Sequence, residues 1–391
     1  MRNMRNALPD IFPSIGPATR LVLFTDLAEP VVLPTEADWV NELDVIVDQG
    51  LAGIACRVMR SQSIAVPEAA GAVFERAQFA SQVTSTRTLQ CSSEGLSHLR
   101  GTGIPFVITK GAGIALLGNS MTDRAFIDVD VVVPPERFTE ALIALRSLGY
   151  AERPLTMQPW DSFNRLCREA INLRNGDGGS IDLHHRVSPW YWSQDLSFEI
   201  LAQGAASTTV SGVDLPLVSP VHNLLVAALH IVSDKSRPGQ TFRAWRDLLI
   251  LIDRCAVVDV VDAASNAGLV AWLYWIIGCL PTEVRPAELW EELSRLDTRL
   301  RGSSRLRMLM PPRIGTRHPI GQIFRLPLGA AAIFVAGSIV PSPRYLRIRY
   351  PNQNHRYVAW WRDSANSFSS EAMDSARPPE YRHHPPVLGS G

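Results

Sequence analysis

Lysine is nearly missing: Lys110 and Lys235 are the only two in 391 residues, so arginine supplies almost all of the 38 basic side chains, and 38 acidic ones cancel them. With no net charge left over, nothing in the composition specifies bulk binding to a polyanion. Cysteine is also scarce. Cys56, Cys91, Cys167, Cys255 and Cys279 are odd in number, scattered, and form no CxxC pair. That excludes a disulfide framework and a cysteine-based structural zinc site, and it fits a reducing compartment. None of the five stands in a motif with a histidine and an acid, so a thiol nucleophile is unsupported. The opening run MRNMRNALPDIFPSIGP lacks the apolar core of a signal peptide, and a cytoplasmic location is the expectation. Long apolar runs are absent too. The best candidate, Leu326–Val340, is broken by Pro327, Gly329, Gly337 and Ser338 and falls short of the about 20 residues a spanning helix needs. A buried helix is expected there, without stable membrane insertion. Peripheral contact through the flanking arginines is the less favoured alternative.

What is present is apolar sequence: 46% of the chain, enough for one large or two to three ordinary domains. After a flexible lead-in (1–20), apolar residues recur at helical spacing from Glu36 to Met59, and several helices are expected through Phe74–Arg100, giving an N-terminal helical region (21–100). The pattern then changes to short strands around 105–109, 126–133, 170–174 and 180–187, with an amphipathic helix from Phe138 to Leu148 closed by Gly149. Asn175-Gly-Asp-Gly-Gly179 between the last two strands is a hairpin signal. This α/β core (101–215) is followed by a helical region (216–318) with stripes at Val221, Leu224, Leu225, Ala228, Leu229, Val232 and at Trp245, Leu248, Leu249, Ile252. A basic, aromatic segment (319–363) and a Ser/Pro/His-rich tail (364–391) complete the chain. The composition of the tail predicts disorder.

The chemistry concentrates in Phe126-Ile-Asp-Val-Asp-Val-Val-Val133. Strand alternation sends Ile127, Val129, Val131 and Val133 into a core and turns Asp128 and Asp130 together to the other face. Adjacent carboxylates repel unless a cation lies between them, and a hard ion such as Mg²⁺ (or Mn²⁺) with oxygen ligands suits the pair. A solvated edge strand would carry the same pattern. Upstream, Thr109-Lys-Gly-Ala-Gly113 sits where a strand becomes a helix. Gly111 and Gly113 there let backbone N–H groups approach a phosphate, with Lys110 beside them. Downstream, Ile181-Asp-Leu-His-His-Arg-Val187 sets Asp182, His184 and Arg186 on one face and Ile181, Leu183 and Val187 on the other. His184 and His185 therefore point apart, against a shared zinc ion.

Taken in order, Ile104-Pro-Phe-Val-Ile-Thr-Lys-Gly111, Arg124-Ala-Phe-Ile-Asp-Val-Asp130, Leu148-Gly-Tyr150 and Ile181-Asp-Leu-His184 resemble the uncharacterised nucleotidyltransferase family of the polymerase-β-like nucleotidyltransferase superfamily. The resemblance runs from about Trp39 to Leu251 and takes in Asp38-Trp39, His222–His230 and Arg243–Leu249. It implies an α+β fold, a small mixed sheet with helices, flanked by N- and C-terminal helical regions. It also implies a catalytic, metal-holding trio of Asp128, Asp130 and Asp182, with nucleotide contacts from Lys110, Gly111, Gly113 and Arg124. His184 and Arg186 would stand near the acceptor. One departure is visible. The wider superfamily places Gly-Ser after its first strand, whereas Gly111 is followed by Ala112 and Gly113.

The expected activity is metal-dependent transfer of a nucleoside monophosphate from an NTP such as ATP to a hydroxyl or phosphate acceptor, a small molecule or peptide. Alternatives are γ-phosphoryl transfer by the same acids, or a non-catalytic nucleotide-sensing or nucleic-acid-binding protein. The arginines and rings of the basic segment suit single strands, but they suit a docking surface for a partner or for the acidic remainder of this same protein as well, and nucleic acid is the less favoured reading. Arg243, Arg246 and Asp247 read equally as a cleft lining or a charged helix face.

Overall fold

The computed structural model describes residues 12, 15–25, 32–61, 64–118, 121–152, 169–187, 196–234, 242–298 and 328–368. Cys167, the side chain of Val232, the basic stretch 299–327 and residues 369–391 of the tail lie outside them.

The N-terminal helices are α1 (Pro17–Phe24), α2 (Glu36–Asn41), α3 (Leu43–Asp48), α4 (Ala52–Ser61) and α5 (Glu68–Gly101). The continuous spacing from Glu36 to Met59 is thus cut into three pieces. Thr35 starts the first by accepting from Asp38 N while Asp38 reaches back to Thr35 N, a reciprocal cap. Gly50, at φ +65, turns the chain between the other two, a conformation glycine adopts without strain. Conversely, the several helices expected over Phe74–Arg100 are one helix of 34 residues, about 50 Å long at 1.5 Å per residue. Its buried Leu89, Leu96 and Leu99 lie along the sheet.

The sheet contains β1 (Val107–Thr109), β2 (Val129–Val132), β3 (Ala151–Glu152), β4 (Ala170–Arg174), β5 (Ser180–His184), β6 (Ala206–Val210) and β7 (Val213–Leu217). Among the described residues the strand order is β3-β4-β5-β2-β1-β7-β6. β2 runs antiparallel to β1 and parallel to β5, β1 runs parallel to β7, and β4–β5 is the expected hairpin. The hairpin β6–β7 was not read from the sequence. Its signal was there in Thr208-Thr-Val210 followed by Ser211-Gly212, both turn residues at positive φ as a two-residue hairpin turn requires.

Helix α6 (Lys110–Leu117) follows β1 directly, and α7 (Phe138–Ser147) follows β2. One sheet face buries Val129, Val131, Ile171, Leu173, Ile181 and Leu183 under α5 and α7. Behind the other face lies a larger apolar cluster of helices. It joins Trp39 and Phe74 from the N-terminal half to helices α9 (Pro220–Asp234), α10 (Phe242–Asp253), α12 (Val270–Gly278) and α13 (Ala287–Arg295), with α8 (Phe198–Ala202) and α11 (Val257–Asn266) at its margin. Val107, Ile114 and Val132 are the contribution of the sheet region to it. The lead-in is not loose throughout: α1 begins at Pro17, and Phe12 packs edge-on against Phe24 and Trp245.

Three further helices follow, α14 (Leu328–Ile339), α15 (Pro343–Arg349) and α16 (Arg356–Phe368). Residues 364–368, expected in the disordered tail, close the last of them. Helix α14 also corrects the expectation of a buried helix at Leu326–Val340. Ala332, Ile333, Val335, Ala336, Ile339 and Val340 are exposed, and Ala331 is its buried contact. Apolarity alone did not bury it, since among the described residues neither apolar cluster takes in one of its side chains. No helix among the described residues is long and apolar enough to cross a membrane.

Candidate active site

Strands β1, β2 and β5 place the site. Parallel pairing sets Asp130 beside Asp182 and Val132 beside His184, and antiparallel pairing sets Thr109 beside Asp130. Alternation then brings Asp130, Asp182 and His184 to the same sheet face, and one ligand atom from each lies within 4.8 Å of the others. Asp128 stands on the bend just before β2, half-buried. Since the strand begins only at Val129, Ile127 does not join Val129, Val131 and Val133 in the core as expected; it is 45% exposed. Val187 departs as well. It lies beyond the end of β5 and packs with the helical cluster. His185 turns away from His184, its ring 4.7 Å from that of Phe138.

The carboxylates are held by cations of the chain itself. Lys110 Nζ lies 3.0 Å from Asp130 Oδ1 and 3.2 Å from His184 Nε2. His184 Nε2 lies 3.1 Å from Asp130 Oδ1 and 3.2 Å from Asp182 Oδ2. Its Nδ1 lies 3.0 Å from Arg186 O. A carbonyl only accepts, so Nδ1 carries a proton, and two carboxylates at Nε2 hold the second one. Burial would discharge the ring, but the neighbouring Asp182 and Asp130 outweigh burial and the repulsion of Lys110, raising its pKa to about 9. The same balance raises Lys110: burial opposes its charge, and Asp130 and Asp182 restore it. Asp130, against burial, is held well below the ordinary carboxylate range by Lys110 and His184. Asp182 is lowered too, burial again being overcome by His184. Asp128 goes the other way. Burial, then the charges of Asp130 and Asp182, push it up to about 7.

The turn into α6 is built by a residue the sequence reading passed over. Lys110 adopts φ +51, a left-handed conformation that costs a non-glycine residue energy and marks functional turns. Asn223 of α9 fixes it, its Oδ1 accepting from Thr109 Oγ1 (2.6 Å) and Lys110 N (3.1 Å) while Nδ2 donates to Val218 O (2.9 Å). Three polar partners on adjacent elements were not legible in one Asn on an apolar stripe. A Cβ at Gly113 would lie 3.1 Å from Ile108 O, so glycine lets the helix start close to the strand. Gly111 lies against Arg124, whose Nη2 would stand 3.1 Å from a Cβ there.

Arg124 makes a two-pronged ion pair with Asp247 of α10, Nε–Oδ1 2.6 Å and Nη2–Oδ2 2.8 Å, and also donates to Ala125 O. Arg243, one turn earlier, donates Nε to Gln49 O (3.1 Å) and lies where a side chain on Gly50 would be. Burial, together with neighbouring Arg124, lowers it to about 10 against the pull of Asp247 and Asp128. Arg246 donates to Leu23 O and Thr25 O, at the end of α1. Arg243 and Arg246 thus reach the N-terminal helices, while Asp247 faces Arg124. They are no solvated helix face. Burial raises the Cys279 thiol to about 12 and Cys255 to about 11, which leaves both inert at neutral pH.

Residues 35–279 match the family model described as "Uncharacterised nucleotidyltransferase". The chain belongs to that family. As a member it is an enzyme of the nucleotidyltransferase class, and its fold is the mixed α+β arrangement above. No curated protein matches the chain. Among solved structures, the antibiotic-resistance factor ANT(2'')-Ia is similar at 17% identity, over 46% of this chain and 91% of that one, with a TM-score of 0.32. An antigenic nucleotidyltransferase-like protein from Paracoccidioides brasiliensis is similar at 20% identity, over 47% and 88%, also at 0.32. Those values are too low to bear on the chemistry. The donor set of this nucleotidyltransferase, two carboxylates and an imidazole converging on one point, fits a divalent cation that displaces the Nε2 proton of His184.

Proposed function

We propose that this enzyme transfers a nucleoside monophosphate from an NTP, ATP included, to a hydroxyl or phosphate group of a small-molecule or peptide acceptor in the cytoplasm. The observation that carries this is the convergence of Asp130, Asp182 and His184 within 4.8 Å, next to the Lys110–Gly113 turn. Asp128, Asp130 and Asp182 would hold Mg²⁺ or Mn²⁺. Once bound, such ions neutralise triphosphate charge and ease ionisation of the acceptor hydroxyl.

The chain's own residues have separable tasks. Backbone N–H groups at Gly111 and Gly113 cradle the β and γ phosphates, and Lys110 adds positive charge beside them. Arg124, fixed by Asp247, contributes a guanidinium on the other side of Gly111. The acceptor oxygen attacks the α phosphorus, the bond to the bridging oxygen breaks, and pyrophosphate leaves. The acceptor's proton passes to Asp182, while His184 and Arg186 border the acceptor.

The test uses each NTP labelled at either the α or the γ phosphate, with Mg²⁺ or Mn²⁺ and a metabolite pool, followed by mass spectrometry of what gains mass. α-Label on a product, with pyrophosphate released, is the expected result. γ-Label on the product would overturn it in favour of phosphoryl transfer.

A further inference from the structure

The helices α14 to α16 lie outside the family match, and among the described residues neither apolar cluster of the enzyme includes one from them. They are tied to one another. Ser342 caps α15 by accepting from Tyr345 N, Tyr357 donates to Pro341 O (3.2 Å), Arg356 Nε donates to Tyr350 O (3.1 Å), and Tyr350 donates to Asp363 (2.9 Å). Leu346, Ala359 and Trp360 are buried. It therefore holds its shape with a great deal of apolar side chain outside.

Helix α14 has no charged residue. Its exposed Ala332, Ile333, Val335, Ala336 and Ile339, with Val340 just beyond, fall on one arc of about 160° at 100° per residue. In α15 and α16, Ile348, Val358, Tyr357 and Trp361 are exposed as well, Val358 at 67% and Trp361 at 49%. Charge in residues 328–368 is one-sided: Arg344, Arg347, Arg349, Arg356 and Arg362 against the single acid Asp363.

We propose that this unit docks the enzyme on the surface of an anionic phospholipid bilayer. The aliphatic arc would enter the acyl boundary, Tyr357 and Trp361 would lie at headgroup depth, and the arginines would meet lipid phosphates. At about 18 Å the helix is too short to cross a hydrocarbon core of roughly 30 Å, so it lies in the interface. Two other occupants fit less. A nucleic acid would engage arginines and rings but gains nothing from exposed isoleucine and valine. A second copy of the chain would set like-charged arginines against each other.

The proposal is independent of the transfer chemistry, and its test reads binding alone. Full-length protein is sedimented with vesicles of phosphatidylcholine, or of phosphatidylcholine containing phosphatidylglycerol. Binding to the anionic vesicles should exceed that to neutral ones at least about ten-fold, each arginine near the surface being worth about five-fold, and should weaken with salt. Ile333→Glu/Ile339→Glu should abolish it. Arg347→Glu should weaken it on anionic vesicles only. Both variants alter exposed side chains, so an unchanged thermal melt and unchanged pyrophosphate release are expected alongside. Failure to sediment with anionic vesicles would overturn the proposal. So would full retention by the double glutamate variant. Tight binding of single-stranded RNA without vesicle binding would reassign the surface to nucleic acid.

Discussion

The two faces of the β2–β5 strand pair are made by alternate residues of the same two strands, yet they do opposite things. Toward α5 and α7, Val129, Val131, Ile181 and Leu183 are fully buried among carbon, and what they contribute is area removed from water. On the reverse face Asp130, Asp182 and His184, with Lys110 reaching across, crowd buried charges into a few ångströms. Removing such charges from water is costly and is offset only by close pairing. The apolar face stabilises the sheet enough to carry a face that spends stability on electrostatics.

The largest effect expected follows from that contrast. Asp130→Asn should cost at least roughly 10²–10³ in transfer rate, as losing one electrostatic stabiliser does, and should also lower the urea midpoint, because buried Lys110 and His184 lose a charged partner. Leu183→Ala, on the apolar face of the neighbouring strand, tests stability alone. It should lose about 2–5 kcal/mol of stability, while activity per folded molecule at low temperature stays near wild type. If the two variants exchange these phenotypes, the division of labour between faces is wrong.

Next comes the ion pair flanking the site. Arg124→Ala leaves Asp247 buried without its guanidinium and should cost about 3–5 kcal/mol in chemical denaturation. Arg124→Lys keeps charge but loses the two-pronged geometry. If Arg124 also touches phosphate, Arg124→Lys should raise KM for the NTP more than it lowers stability.

Asn223→Ala should cost about 1–3 kcal/mol by orphaning buried Thr109 and freeing the left-handed Lys110 turn. Its kinetic signature would be a raised KM for the NTP, since the phosphate-facing backbone would no longer be fixed. An unchanged KM would mean the turn holds itself.

The smallest effect is a pH dependence of the metal-free protein. Asp128 has a folded pKa raised to about 7 from 3.8, so the folded state binds the proton more tightly. Its contribution is full below about 3.8 and is lost as pH rises through 7. Asp128→Asn, which cannot ionise, should therefore melt a few degrees above wild type at pH 8 and equal to it near pH 4, while losing activity. His184, raised to about 9, contributes stability below 6.5 that is lost as pH rises through 9. Thermal melts of chelator-treated protein should fall between pH 6 and 9. Added Mg²⁺ or Mn²⁺ should reverse that fall if the acids bind the ion.

Much of this was written locally. The strand–turn–helix at 105–117, the Phe138–Ser147 helix with its Gly149 stop and the 170–184 hairpin each carry their own periodicity and turn chemistry. The missed pieces carried mixed local signals. Residues 206–217 pair a Ser-Gly turn with few large apolar side chains, and the long helix from Glu68 contains Gly71 and Gly95, residues that weaken a helix interior. Helical breaks at Glu42 and Gly50 fell inside an unbroken apolar pattern.

The sequence by itself determined which side chains share a face of each strand, because alternation is a property of one backbone, and it was enough to set Asp128 and Asp130 apart from the core. It could not determine that β5 would pair in parallel with β2 at a register matching Asp182 to Asp130. Nor could it show that Asn223 would fix the Lys110 turn, or that Asp247 would take Arg124. Those are contacts across 52 to 123 residues of chain. Only the packing of separate elements, driven by apolar area that has no knowledge of the acids, brings their ends to one place.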